Sequence, residues 1–319
     1  MFERKKKTAP DSGMENDGIV VIRERDPQTC GGTSTTLDTK APKEIFSGEM
    51  ILFDVTSALH VPTEKMHMGS GEKEDIGYIS AFAVHAGEGS FLFLETGNGF
   101  RKRDRRKQNS ALVKGNVFPA LCRLVKECRL AERNGYQSHT YGLPENFGGT
   151  VNIRYESGER ISCSNNQSPV LSHDAGVRIA EYFEKAMKGR RQELPGVDDL
   201  LSIRFSEDRT GGGYTKAELT LNPDGTGTNR KESRFDVTVY ESTSDMDSRT
   251  VAKIKEEIRK SNIFAWEKLP ESEHRSGSNE EMVFVFRDGR EIRVRKDRVL
   301  PDQISRGFFN IQLEMTTKH

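Results

Sequence analysis

Cysteine is scarce in this chain, with four in 319 residues, and tryptophan occurs once. Cys30, Cys122, Cys128 and Cys163 show no CxxC spacing. That excludes a dense disulfide framework and the common zinc patterns. Cys122 and Cys128 lie on one expected helix, about 120° from a whole number of turns, so they should not bridge each other. Neither sign of charge is in excess, with 49 basic against 49 acidic side chains. A generally polybasic nucleic-acid binder is thereby excluded, though a local patch is not. No run reaches the ~18 apolar residues of a membrane helix. The basic start (Arg4, Lys5, Lys6, Lys7) is not followed by an apolar stretch of ~7–15 residues. The short run Ile19–Ile22 stops at Arg23, and the residues before Cys30 are too polar for a lipoprotein cleavage site. A cytoplasmic protein is expected, in which the Asn166-Gln167-Ser168 sequon stays idle.

Familiar catalytic signatures are missing too. There is no Gly-x-Ser-x-Gly nucleophile turn and no cysteine whose neighbours would lower its pKa. Gly211-Gly212-Gly213 comes too far before Lys216 for a phosphate-cradling loop, and Gly97-Asn98-Gly99 lacks its third glycine at Lys102. His60 and His67 flank a segment with Met66, Met68, Glu64, Glu72, Glu74 and Asp75, but in no metal-ligand spacing. His173-Asp174 reads as the start of a helix, with Ser172 as cap and Asp174 favouring the dipole. Asp302 occupies the matching place later in the chain. No cofactor is implied.

What the chain does carry is apolar periodicity. Its length suggests two domains, and 71 residues are Leu, Ile, Val or Phe, slightly above the ~20% level associated with disorder. Residues 45–190 and 200–319 can be read in the same order, joined by a linker at 191–199. Each opens on an alternating strand, Ile51-Phe53-Val55 and Leu201-Ile203-Phe205. A second strand begins at Gly77-Tyr78 and Gly213-Tyr214, and ends in a glycine turn at Gly87-Glu88-Gly89 and Pro223-Asp224-Gly225. A third pairs Phe91, Phe93 and Glu95 with Val237, Val239 and Glu241. Period two marks half-buried strands.

Helices come next, with stripes at Phe118, Leu121, Val125 and Cys128 and at Val251, Ile254 and Ile258. Pro119 fits only a first turn. Leu143-Pro144-Glu145 matches Leu269-Pro270-Glu271. Hairpins are expected about Ser157-Gly158 and Asp288-Gly289. Closing helices then bury Ile179, Ala180, Phe183 and Met187, and Ile304, Phe308, Ile311 and Met315.

The expected fold is therefore α+β: two tandem copies of a βββαββα domain, each an antiparallel sheet with helices packed on one face. Residues 1–44, rich in Gly, Thr, Ser and charge, read as a mostly disordered tail.

For function, shared features between the copies are turn and core residues, so a non-catalytic binding or protein-interaction protein is expected. The groove between the copies would be its site, since pockets favour domain interfaces. The partner, a protein or a small ligand, is not named by the residues. The alternative is nucleic-acid or anionic-surface binding through a cationic run, Arg101, Lys102, Arg103, Arg105, Arg106 and Lys107, which could neutralise phosphates. No aromatics are interleaved with it, so it offers no stacking platform. A third alternative is an enzyme with an unfamiliar site using His60, His67 or His85.

Overall fold

The computed structural model describes residues 18–25, 32–60, 76–98, 106–143, 147–209, 211–272 and 278–317. The chain divides into two compact units. One comprises Met1–Ala83, Leu92–Asn109 and Asn116–Gly189; the other comprises Val84–Phe91, Ser110–Gly115 and Arg190–His319.

The first sheet has nine strands: β1 (Ile19–Arg25), β2 (Gly32–Asp38), β3 (Met50–Ala58), β4 (Tyr78–Ala86), β5 (Gly89–Gly97), β6 (Arg106–Lys114), β7 (Tyr136–Tyr141), β8 (Gly149–Tyr155) and β9 (Arg160–Asn165). Their spatial order is β1-β2-β7-β9-β8-β3-β4-β5-β6. The pairings β1–β2, β2–β7, β3–β8 and β8–β9 are antiparallel, whereas β7 and β9 run parallel over Gln137↔Ser164 and Ser138↔Asn165. One face carries Phe53 and Val55 on β3, Val151 and Ile153 on β8, and Ile161 and Cys163 on β9, all buried.

Helices α1 (Phe118–Glu127) and α2 (His173–Arg190) supply the other half of that core. Phe183 of α2 meets Phe53 with ring centroids 5.8 Å apart. The α1 stripe is Phe118, Leu121, Cys122, Leu124 and Val125. Cys128 was expected on that stripe; it is instead the half-buried C-cap, and Cys122 is the buried thiol. At the start of α2, Ser172 Oγ accepts from Ala175 N at 3.2 Å, as its spacing required.

The second sheet has six strands, β10 (Leu200–Arg209), β11 (Tyr214–Leu221), β12 (Gly227–Phe235), β13 (Thr238–Met246), β14 (Ser278–Phe286) and β15 (Glu291–Arg295), in the order β13-β12-β11-β10-β14-β15. All five pairings are antiparallel. Helices α3 (Ser248–Ser261) and α4 (Asp302–Thr316) cover one face. Phe308 of α4 lies edge-on to Phe205, and every apolar helix position expected for this unit is buried. Gly307 lets α4 approach α3: a Cβ there would stand 2.5 Å from that of Ser261.

Both expected hairpins are present and share their turn chemistry. Gly158 N donates to Tyr155 O and Gly289 N to Phe286 O, each at 3.0 Å. Both glycines have positive φ, 85° and 84°, which a side chain would strain.

Within residues 45–190 and 200–319, four strands (β3–β6 and β10–β13) precede the first helix, not the expected three. Phe91-Phe93-Glu95 belongs to β5, the third of four, while Val237-Val239-Glu241 belongs to the β12–β13 turn and to β13, the fourth. The two were therefore not counterparts. Strand β12 escaped notice because its helix-facing positions are polar. Asn229 Nδ2 donates to Met315 O at 2.7 Å and Lys231 Nζ to Thr316 O at 2.5 Å. These side chains satisfy the carbonyls that end α4, so no apolar alternation is needed there.

The Leu-Pro-Glu match also fails structurally. Leu269 is buried directly after a short 3-10 turn, whereas Leu143 is exposed and follows the additional strand β7. Pro144 and Glu145 lie outside the described residues. Of the mostly disordered tail expected at 1–44, the structure describes residues 18–25 and 32–44. Residues 1–17 and 26–31 are outside the described set, but β1 and β2 form a hairpin that joins β7.

The first unit also contains an acid-sensitive clasp. Glu159, in the β8–β9 turn, accepts from Phe46 N at 3.1 Å, Ser47 N at 2.9 Å and Ser157 Oγ at 3.0 Å. The backbone donors of Phe46 and Ser47 hold its carboxyl below the ordinary value of 4.5. A depressed carboxylate stabilises the fold fully above its unfolded pKa, and that contribution is lost as pH falls through the lower folded value. Acid unfolding of wild type and Glu159→Gln should therefore differ most above pH 4.5 and converge below it. A stability difference that is constant with pH would contradict the clasp.

Candidate functional site

Strand alternation in the second unit sends one set of side chains to the helices and the other set to the opposite face, where Val283 alone of the two rows below is buried. Along β15-β14-β10-β11-β12-β13, the register places Arg293, Val283, Arg204, Glu218, Arg230 and Thr243 in one row. The adjacent row is Arg295, Glu281, Ser206, Lys216, Glu232 and Glu241. A hollow of about 590 Å³ lies on this face, lined by most of these residues. Opposite charges face one another at Arg204↔Glu218, Glu218↔Arg230 and Lys216↔Glu232, which favours the sheet. Glu232 and Glu241 are also directly opposite, and like charges so placed repel.

Ion pairs occupy one side of the hollow. Arg293 binds Glu281 at 3.4 Å and Glu291 at 3.1 Å, and Arg204 binds Glu291. Among the described residues, Glu218, Arg230 and Glu241 form no ion pair.

Beside the hollow, the β12–β13 hairpin exposes apolar side chains. Asp236 takes a left-handed φ of 57°, so that Phe235 pairs with Thr238 across a two-residue loop. This tight turn puts Val237 at the tip, 83% exposed. Phe235, Val239 and Tyr240 are exposed around it, with Phe235 and Tyr240 edge to face at 6.4 Å. Val237 and Val239 were expected on a half-buried third strand. The polar stretch Gly227–Arg234, now seen as β12, had concealed that they belong to a hairpin tip.

The first unit has a hollow of its own, about 460 Å³ in volume, where β7 and β8 flank β9. Among the described residues its lining is serine, threonine, glutamine, asparagine, glycine, His139 and Tyr141.

A second correspondence concerns the tyrosine that opens β4 and β11. Tyr78 Oη donates to Glu95 Oε2 on β5 at 3.4 Å, and the Arg106 guanidinium lies 4.5 Å over its ring while also reaching Glu95 Oε1 at 3.6 Å. In the second sheet Tyr214 Oη donates to Glu232 on β12, and Lys216 Nζ stands 4.9 Å over the ring. The bond to Glu232 raises the Tyr214 pKa. Each arrangement gives a carboxylate a phenolic donor, and Glu95 also has the Arg106 cation.

The cationic run falls mostly outside the described residues, which omit Arg101, Lys102, Arg103 and Arg105. Arg106 and Lys107 begin β6, and Arg106 is engaged with Glu95 and Tyr78. His67 and its neighbouring Met, Glu and Asp residues are also outside the described set; His60 is exposed. Among the described residues no His, Cys, Asp and Glu grouping could hold a metal. No helix of the described residues is long and apolar enough to cross a membrane.

Burial raises the pKa of all three described thiols, Cys163 to about 11. At neutral pH they are thiols, without the charge of a nucleophilic thiolate. No known protein family matches the chain, and no curated protein matches it significantly.

Proposed function

We propose that the chain is a protein-interaction protein, and that the second unit engages its partner through the β12–β13 hairpin and the charged hollow beside it. The exposed tip carries this reading. A two-residue hairpin turn is ordinarily filled by Gly, Asn or Asp, yet here Val237 projects from it beside Phe235 and Tyr240. Apolar side chains gathered in one place on a surface mark binding sites more often than isolated ones do. Aromatic residues and arginine around them are what protein interfaces favour. A partner segment that brings a cation to Glu232 and Glu241 and an acid to Arg230 would relieve the repulsion and pair the unpaired charges.

We also infer that both units descend from one duplicated module. The six strands β6-β5-β4-β3-β8-β9 and β13-β12-β11-β10-β14-β15 follow the same order, and helices occur at the same places between them. In both, the tyrosine that opens the second of these strands in chain order bonds a glutamate on the third, although the cation over its ring comes from β6 in one and from β11 in the other. On this reading β1, β2 and β7 are additions to the first copy.

The test is capture from lysate of the source cells by immobilised full-length protein, alongside a Val237→Glu/Tyr240→Ser variant of matching Trp266 fluorescence. A defined protein held by the wild type, crosslinked to the hairpin and reduced about tenfold or more with the variant is the expected result. Identical capture by both proteins, or none by either, would overturn the proposal.

A further inference from the structure

We propose that the neutral hollow of the first unit is a binding site for an uncharged saccharide. It is distinct from the hairpin surface of the second unit and stands or falls separately. The hollow exists because β7 is inserted between β2 and β9. Strand β7 pairs with β9 over only two residue pairs. Beyond them Asn166 takes over from the backbone: its Oδ1 accepts from Thr140 N at 2.9 Å and its Nδ2 donates to Thr140 O at 2.8 Å. Asn165 Oδ1 accepts from Gln167 N and Ser168 N, fixing the turn behind it. Gly148 and Gly149 form the opposite wall, where a side chain would meet the backbone of Asn165 or Thr56. The walls are therefore rigid, held by groups that are themselves satisfied.

Other groups in the lining remain available. Ser34, Thr36, Gln137, Thr150 and Ser164 make no side-chain hydrogen bond among the described residues. A hydroxyl both donates and accepts, and so does a carboxamide. A ligand rich in hydroxyls has the same dual character at each position, so either partner can supply the proton.

At one end His139 and Tyr141 meet edge to face at 4.5 Å. Tyr141 thereby offers an apolar ring with a polar tip, suited to the C–H face of a sugar. Among the described residues no Lys, Arg, Asp or Glu lines the hollow. A phosphate or carboxylate buried there would lack a counter-charge, at a large cost. The volume of 460 Å³ lies within the ~300–1,000 Å³ range of ligand sites.

Saturation-transfer NMR on the full-length protein, with a panel of neutral mono- and disaccharides, tests this. Glucuronic acid and an uncharged nucleoside serve as comparison probes. Transfer to the ring protons of at least one neutral sugar is expected, with affinity about tenfold weaker or worse in Gln137→Ala/Tyr141→Ala. Both positions are exposed, so the variant should keep the wild-type circular dichroism; if it does not, Gln137→Ala alone is read. Absence of transfer to every neutral sugar overturns the proposal. So does stronger binding of glucuronic acid or the nucleoside, or sugar binding that the variant leaves unchanged.

Discussion

Truncating Phe308 to alanine is expected to lower the unfolding free energy of the second unit by about 3–5 kcal/mol, the ordinary cost of emptying a buried phenylalanine site. Phe308 is fully buried on α4, 6.3 Å from the Phe205 ring and stacked at 15° on Trp266, 6.5 Å away. It thus joins the helix layer to the sheet and to the 3-10 turn that follows α3. Gly307, its neighbour, already brings α4 against Ser261, so the helix has little freedom to sink into the void.

The measurement is unusually direct. Trp266 is the only tryptophan in the chain, is fully buried, and donates from Nε1 to Ser261 O at 3.2 Å. Its fluorescence during urea unfolding reports this core alone. Phe308→Leu, which leaves most of the volume filled, should lose clearly less. A loss under about 1 kcal/mol in Phe308→Ala would mean that the ring does not pack as described.

Much of this architecture is legible in the residues. Where a helix has an apolar stripe, as at Val251-Ile254-Ile258 or Ile179-Phe183-Met187, the pattern alone places the buried face. Where a turn needs positive φ, as at Gly158 and Gly289, it locates the hairpin. Two of the strands that escape have inward positions stabilised by hydrogen bonds. On β12, Asn229 and Lys231 face the end of a helix; on β2, Thr33 and Thr35 pair with Thr140 and Ser138 through hydroxyls. Polar inward faces erase the period-two signal that strand recognition depends on.

The hollows are harder still to read. Ser34, Gln137, Thr150 and Ser164 come from four strands scattered over 130 residues of sequence, and none belongs to a recognisable motif. The adjacent glycines at 148 and 149 were the available clue. Two flexible residues at the start of a strand imply close backbone approach. The cationic run was conspicuous for the opposite reason, since its charges are contiguous in sequence, yet Arg106 is committed to a carboxylate on the next strand.

Those paired glycines support the second large expected effect. Gly148→Ala should destabilise the first unit by at least about 1–3 kcal/mol, the usual range for overpacking. The added Cβ would lie 1.6 Å from Asn165 O and 2.5 Å from Asn165 C. Both atoms are backbone, so no side chain can swing aside to make room. Moving Gly148 away would also strain its carbonyl, which accepts from Ala58 N at 2.8 Å and connects β8 to the end of β3. Gly189→Ala is the matching control. Nothing lies within 4 Å of its Cβ position near the end of α2, and alanine is the better helix former. That variant should be neutral or up to about 1 kcal/mol more stable. Thermal unfolding followed by circular dichroism separates the two. Equal melting temperatures would show that β8 does not approach Asn165 so closely. The rigid wall on which the saccharide site depends would then be lost with it.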